Sequence, residues 1–340
     1  MRRVNTLVSV LLTASLLGGC AAGFDLQGHR GARGLMPENT LPAFAKALEI
    51  GVTTLELDTN ITRDGIVVIS HDSVLNPDLA RLPDGKWLET PVNKGPSIFS
   101  LTFEELQRYD VGRIKPGTKY AERYPEQQSV DGTRIPKLAD LFALVRKSGN
   151  DTVRFNIETK LSPFERETTP GPEAFVEALL KVITQENMRS RVTIQSFDWR
   201  TLKISQQRAP DIPTVYLSAQ QKFLDTINAD GREGSAWTAG LNVREYGGSV
   251  ARMVKAAGGT IWSPYFGDVD QAKVRDAQEL GLKVIVWTVN QPQDIERMLD
   301  WKVDGIISDY PNRVREAMRL RGMALPPPVK LNASVGASKL

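Results

Sequence analysis

The sequence predicts an α/β chain whose strands close into one parallel barrel, with an insertion after the second strand region. Short β-branched or apolar runs alternate with stretches of helical periodicity, the order a parallel sheet requires. The runs lie near 24–28, 53–58, 153–159, 191–197, 213–218, 259–263, 283–289 and 304–308, and eight is the number that closes a (β/α)8 TIM barrel. Without its first 19 residues the chain keeps about 320, of ordinary apolar and charged content, which suits such a barrel with insertions.

The beginning of the chain reads as a targeting segment. Arg2 and Arg3 precede an apolar run from Leu7 to Leu17 that ends in Leu17-Gly18-Gly19-Cys20. A charged start, a short apolar stretch and small residues before a cut describe a secretory signal over 1–19. The run falls short of the roughly 20 apolar residues that cross a membrane. Leu-Gly-Gly-Cys resembles the bacterial lipobox, in which the cysteine carries lipid. Cys20 is the sole cysteine, so it has no intramolecular disulfide partner, and an exported protein gains little from a free thiol. The expectation is an exported, periplasmic or cell-surface lipoprotein of a bacterium, held to a membrane through Cys20. The other reading is an ordinary signal peptide with an incidental cysteine. Leaving out Arg2 and Arg3 lowers 43 basic residues to 41 against 40 acidic, a net charge of +1. That balance gives no electrostatic reason to expect nucleic acid as a partner.

The first helix is the clearest. Asn39 or Thr40 can cap it, Leu41, Phe44, Ala47 and Leu48 recur at helical spacing, and Gly51 ends it. From about 76 to 136 the alternation breaks down among Pro77, Pro83, Gly85, Pro91, Gly95, Pro96, Pro116 and Gly117, with a helical hint at 102–109. This reads as an insertion over one barrel mouth, suited to gating a substrate more than to forming a core. Its Trp87, Tyr109, Tyr120 and Tyr124 either line an entrance or pack within the insertion. The barrel unit is expected over 20–325. Beyond it, 326–340 is rich in Pro, Ser and Ala without apolar periodicity, which predicts disorder.

Polar residues collect where strands end, the place where a barrel of this kind does its chemistry. The chain has two histidines, His29 after the first strand and His71 after a short extended run from Ile66 to Ser70. Glu56 and Asp58 lie two apart on the second strand and so face the same way; Glu158 and Lys160 do so on the third. Unpaired carboxylates in apolar strands are costly. Either they bridge to Arg30 or Lys160, or they hold a divalent cation. An all-carboxylate set suits a hard ion, calcium first and magnesium as the alternative. Two imidazoles fit paired acid and base roles near neutral pH. Arg30 and Lys160 are cations suited to phosphate, although Lys160 can equally be a structural partner of Glu158. Glu38 follows the first strand and is placed to reach the site. Phe197 and Trp287 either pack or wall the carbon skeleton of a small polyol. Asp309 and Asn290 read as supporting or structural.

Taken together, His29-Arg30-Gly31, Pro37-Glu38-Asn39-Thr40, Glu56-Leu57-Asp58 and Asp64-Gly65 followed by His71-Asp72 resemble the signature of the glycerophosphodiester phosphodiesterases, with further matches downstream over nearly all of the chain after the signal. The resemblance implies hydrolysis of glycerophosphodiesters to sn-glycerol 3-phosphate and an alcohol. It implies that Glu56, Asp58 and Glu158 hold calcium or magnesium. In related two-histidine barrels the substrate's own hydroxyl attacks first and leaves a cyclic phosphate; direct attack by water is the other route. Two competing functions are a phospholipase C- or D-like activity on intact lipids and a surface lipoprotein that only binds.

Overall fold

A computed structural model describes residues 23–91, 94–165 and 167–329. The expected signal segment and Cys20 therefore lie outside the described residues.

Eight parallel strands make the barrel: β1 (Asp25–Gly28), β2 (Thr54–Ile61), β3 (Arg154–Thr159), β4 (Val192–Ser196), β5 (Thr214–Ser218), β6 (Ile261–Pro264), β7 (Lys283–Val286) and β8 (Gly305–Ser308). Each pairs with the next, and β8 pairs with β1 to close the ring. One helix returns after each strand: α1 (Leu41–Ile50), α2 (Leu138–Lys147), α3 (Pro172–Gln185), α4 (Trp199–Arg208), α5 (Val250–Ala256), α6 (Gln271–Glu279), α7 (Pro292–Asp300) and α8 (Pro311–Leu320).

Strand alternation sorts β2 and β3. Leu55, Leu57, Phe155 and Ile157 point outward and join Phe44, Leu48 and Phe142 in the shell beneath the helices, with Phe142 edge-on to Phe155 at 4.9 Å. Glu56, Asp58, Asn156 and Glu158 are left facing inward. The interior is correspondingly polar: Asn156 Nδ2 donates to Gln27 Oε1 (3.0 Å) and to Gln195 Oε1 (2.8 Å), and Thr193 Oγ1 donates to Asn156 Oδ1 (2.8 Å). Burial of these groups is tolerated because they satisfy one another.

Two strand ends differ from the expected ones for reasons that matter to the site. β2 runs on from 58 to Ile61 because its last residues pair antiparallel with the short strand Val67–Ile69. That hairpin turns at Gly65, whose φ of +79° suits glycine, and it carries His71 back over the barrel mouth. β7 stops at Val286 instead of 289, which places Trp287 and Asn290 on the loop beyond it.

The segment from 70 to 137 contains the short helices Phe103–Leu106 and Lys119–Arg123. Contrary to the expectation that it would gate more than pack, it has a small core of its own, in which Leu75, Ala80, Leu88, Ile98, Leu106 and Ile135 close on Val68 of the hairpin. Disorder from residue 326 also needs correction. Arg315 Nη1 donates to the carbonyls of Pro326 (2.6 Å) and Gly51 (2.9 Å), and Val329 N–H reaches Leu48 O at 2.9 Å. The carbonyls exposed at the end of α1 give this stretch partners through Val329; the remainder of the tail is outside the described residues.

Candidate active site

Glu56, Asp58 and Glu158 converge at the carboxyl ends of β2 and β3, where the register sets Asp58 beside Glu158. One oxygen from each lies within 4.8 Å of the others, and all three residues are buried. Burial and the neighbouring Asp58 push Glu56 well above the ordinary carboxylate range. Burial likewise pushes Glu158 up to about 7, against the pull of Lys160. Asp58 is the exception: burial opposes its charge, but Arg30, His71 and Lys160 together hold it well below the usual range. The cluster has hard oxygen donors, close spacing and more negative charge than its cations neutralise, so it could hold a divalent cation.

Its surroundings fix the geometry. Gln195 Nε2 donates to Glu56 Oε1 at 2.6 Å, and Arg30 N–H donates to Glu56 Oε2 at 2.9 Å. Asn39 Nδ2 donates to Asp58 Oδ2 at 2.9 Å. Lys160 Nζ sits 2.9 Å from Glu158 Oε1 and 3.7 Å from Asp58 Oδ1. The choice of cap for α1 is thereby resolved. Thr40 is the N-cap, and Asn39 turns its side chain to the carboxylates from a left-handed backbone at φ +55°.

Both histidines face this cluster, and each is held through the same ring nitrogen. His29 Nδ1 lies 2.6 Å from Asp309 Oδ1, and His71 Nδ1 lies 2.7 Å from Asp72 Oδ1. With Nδ1–H on the aspartate, the Nε2 lone pair remains available. Asp309 in turn accepts from Arg33 Nε (2.8 Å), Arg33 Nη2 (3.1 Å) and Asn290 Nδ2 (2.7 Å). Asp72 accepts from Asn76 Nδ2 at 2.9 Å. Burial, reinforced by the charge of Arg33, lowers the pKa of His29 to about 4 despite Asp309, so its ring is neutral at pH 7. Burial, with Arg30 and Lys160, lowers His71 as well.

His29, Arg30, Glu56, Asp58, His71, Glu158, Lys160, Phe197 and Trp287 all line one cavity of about 180 Å³. Glu38 does not. Its carboxylate receives Arg30 Nη1 at 2.7 Å and the hydroxyl of Tyr120, so it braces Arg30 and ties the insertion to the first loop. Among the insertion's aromatic residues, Tyr124 lies under the Arg33 guanidinium at 4.8 Å, Tyr109 packs on the insertion's core and Trp87 packs against Arg81. None of these four lines the cavity. Sequence reasoning missed Arg33, which is buried and lines the cavity, and Gln195 as a partner of Glu56. Asp309 and Asn290, read from the sequence as supporting or structural, stand behind His29, Asp309 on its ring and Asn290 on Asp309. Arg33 sits four residues after His29, a spacing that offered a signal.

A model of the glycerophosphoryl diester phosphodiesterase family matches residues 29–313. The chain belongs to that family. The match runs from the first histidine to the start of α8 and so spans every residue of the cavity. A curated relative from Caldanaerobacter subterraneus subsp. tengcongensis, named glycerophosphodiester phosphodiesterase, is 29% identical over 294 residues, covering 86% of this chain and 97% of its own. A Bacillus subtilis protein of the same name is 28% identical, covering 84% of this chain and 83% of its own. A crystal structure from Silicibacter pomeroyi, named for this family, shares 34% identity at a TM-score of 0.78, covering 89% of this chain and 96% of its own. An Oleispira antarctica phosphodiesterase solved with its product sn-glycerol-3-phosphate has the same fold at 22% identity and a TM-score of 0.61, covering 86% of this chain and 96% of its own. As a member of this family the chain is an enzyme, a phosphodiester hydrolase.

Proposed function

We propose that the protein hydrolyses glycerophosphodiesters to sn-glycerol 3-phosphate and a free alcohol such as choline, ethanolamine or glycerol. One observation carries this reading above the others: two imidazoles, each backed by an aspartate, share a small cavity with three carboxylates and three cationic side chains. A divalent cation held by Glu56, Asp58 and Glu158, calcium in our reading and magnesium as the alternative, would supply charge to the phosphoryl oxygens. Arg30 and Lys160 add fixed positive charge beside the same oxygens, the principal demand of phosphoryl transfer. One imidazole takes the proton of the attacking oxygen through Nε2, and the other delivers a proton to the departing alcohol. Phe197 and Trp287, edge-on at 5.2 Å, give the carbon skeleton an apolar wall.

Anchoring through Cys20 belongs to the same proposal, as does an exported location. Asp25 opens β1 at the barrel mouth opposite the histidines. Five residues reach at most about 18 Å, so a lipid on Cys20 would hold the catalytic mouth away from the anchoring membrane. That favours soluble diesters over intact lipids of that membrane.

The deciding assay offers glycerophosphocholine, glycerophosphoethanolamine and glycerophosphoglycerol with and without a chelator. Release of sn-glycerol 3-phosphate that stops on chelation and returns with calcium or magnesium is expected. No release from any diester would sink the reading, and full activity in a verified metal-free sample would remove the cation from it.

A further inference from the structure

None of residues 120–128 of the insertion lines the cavity, yet this stretch reaches the supports that stand behind His29. Tyr124 lies beneath the Arg33 guanidinium at 4.8 Å, and Gln127 Nε2 donates to the Arg33 carbonyl at 2.7 Å. Gln128 N–H adds a bond to Leu35 O at 2.9 Å, so the insertion also grips the backbone of the first loop. Glu126 accepts from Arg313 Nη2, and Arg313 Nη1 donates to Asn290 O at 3.1 Å. Asn290 is the residue whose amide donates to Asp309. Two routes from the insertion, one through Arg33 and one through Arg313, therefore meet on a single carboxylate.

The route through Arg33 is the shorter. Its Nε and Nη2 take both oxygens of Asp309, and Nη2 stands 3.2 Å from His29 Nδ1. A planar fork of this kind fixes a carboxylate in position and in plane, which a point charge does not. A buried guanidinium needs partners on every side. Asp309 meets its edge and the Tyr124 ring meets its face.

Resting on the acid–base role proposed above for His29, we infer that Arg33 is a positioning residue for that imidazole, acting through Asp309, and that the insertion seats Arg33 through Tyr124. The insertion then works as a splint on the first loop, setting the angle of a ring it does not touch. A hydrogen-bonded aspartate holds the tautomer and plane of an imidazole and so aims its Nε2 lone pair. Misalignment of that lone pair costs rate more than affinity, because proton transfer depends on orientation in the transition state.

The test measures kcat and KM on glycerophosphocholine, with calcium present, for the unaltered protein and for Arg33→Lys, Tyr124→Leu, Tyr124→Phe and Tyr109→Leu. Arg33→Lys keeps the charge and loses the fork, and Tyr124→Leu removes the ring beneath it. Each should lower kcat about ten-fold or more, with KM within about two-fold. Tyr124→Phe keeps the ring and should recover most of the rate. Tyr109→Leu loosens the insertion's own core away from Arg33, so it should lower the melting temperature and leave kcat within about two-fold. Proton NMR gives a readout independent of turnover. The chain has two histidines, each with Nδ1 on an aspartate, hence two downfield Nδ1–H signals, assigned with His29→Ala and His71→Ala. Arg33→Lys and Tyr124→Leu should move the His29 signal and leave that of His71 in place. A folded Tyr124→Leu protein with unchanged kcat, or with the His29 signal unmoved, overturns the inference. So does a loss of kcat in Tyr109→Leu equal to that in Tyr124→Leu. A rise in KM alone in Arg33→Lys also overturns it, by putting Arg33 on the substrate itself. No turnover of any diester by the unaltered protein overturns the function instead, and the NMR signals still decide whether Arg33 and Tyr124 hold the ring.

Discussion

Asp309 and Asp72 each take the Nδ1 side of an imidazole, which leaves both Nε2 lone pairs available for the proposed acid–base roles. Replacing His29 or His71 with Ala should therefore lower kcat by at least ~10²-fold, the scale of lost acid–base catalysis, while circular dichroism and the melting curve stay close to those of the unaltered protein. Substantial turnover in a folded double variant would end the two-histidine scheme. Asp309→Asn keeps the shape but removes the charge facing His29 and Arg33, and a fall in kcat of comparable direction is expected, read alongside the melting temperature. Glu158 carries a sign that can be checked. Its pKa of about 7 in the free cluster means that it is partly protonated at neutral pH, whereas a cation needs it ionised. Metal binding should then release protons, and affinity should weaken as pH falls through 7. Titration calorimetry in buffers of different ionisation heat measures both. Affinity that strengthens toward pH 6 would contradict the assignment.

At the scale of elements, the loop from β1 to α1 does the positioning. His29, Arg30 and Arg33 leave β1 within one turn of chain, and Gly31 lets that turn close. Its φ is +84°, and a methyl added there would meet the Ala43 backbone at 2.6 Å. Gly31→Ala should cost more than about 1 kcal/mol in urea unfolding and also depress activity, because any relief of the clash moves His29. Thr40→Ala, which removes the cap of α1 and the hydroxyl's bond to the Pro37 carbonyl, should cost about 1 kcal/mol or somewhat more with a smaller effect on rate. A Gly31→Ala protein with unchanged stability would mean that the turn is less confined than it is here. The hairpin after β2 has the matching task on the other side. Ser70 N–H reaches Asp58 O at 3.0 Å, and Asn60 Nδ2 holds the carbonyls of Ser70 and Asp72, so His71 is placed by the strand that supplies Asp58.

For the whole molecule, a cation held by this cluster would be linked to the fold, because the three carboxylates come together only when β2 and β3 pair. Calcium or magnesium at a hundred times its Kd should stabilise the protein by ~2.7 kcal/mol and raise the melting temperature measurably, an effect that Glu158→Gln should abolish. Identical melting curves with and without either ion would mean that the cluster binds neither. Strand number, barrel class and the inward-facing acids were legible in the sequence because they follow from periods of two residues and of one helical turn, which are local. Cys20 and the signal before it are likewise local signals, and the proposed anchor rests on them alone. The pairing of His29 with Asp309 joins residues 280 apart, and no local period carries it. The same holds for Gln195 on Glu56, and for Tyr120 drawing Glu38 away from the cavity toward Arg30. Composition and spacing thus determined what kinds of groups stand at the strand ends. Barrel closure alone decided which of them touch, since bringing β8 beside β1 and folding the insertion over the first loop creates contacts that no stretch of chain contains by itself.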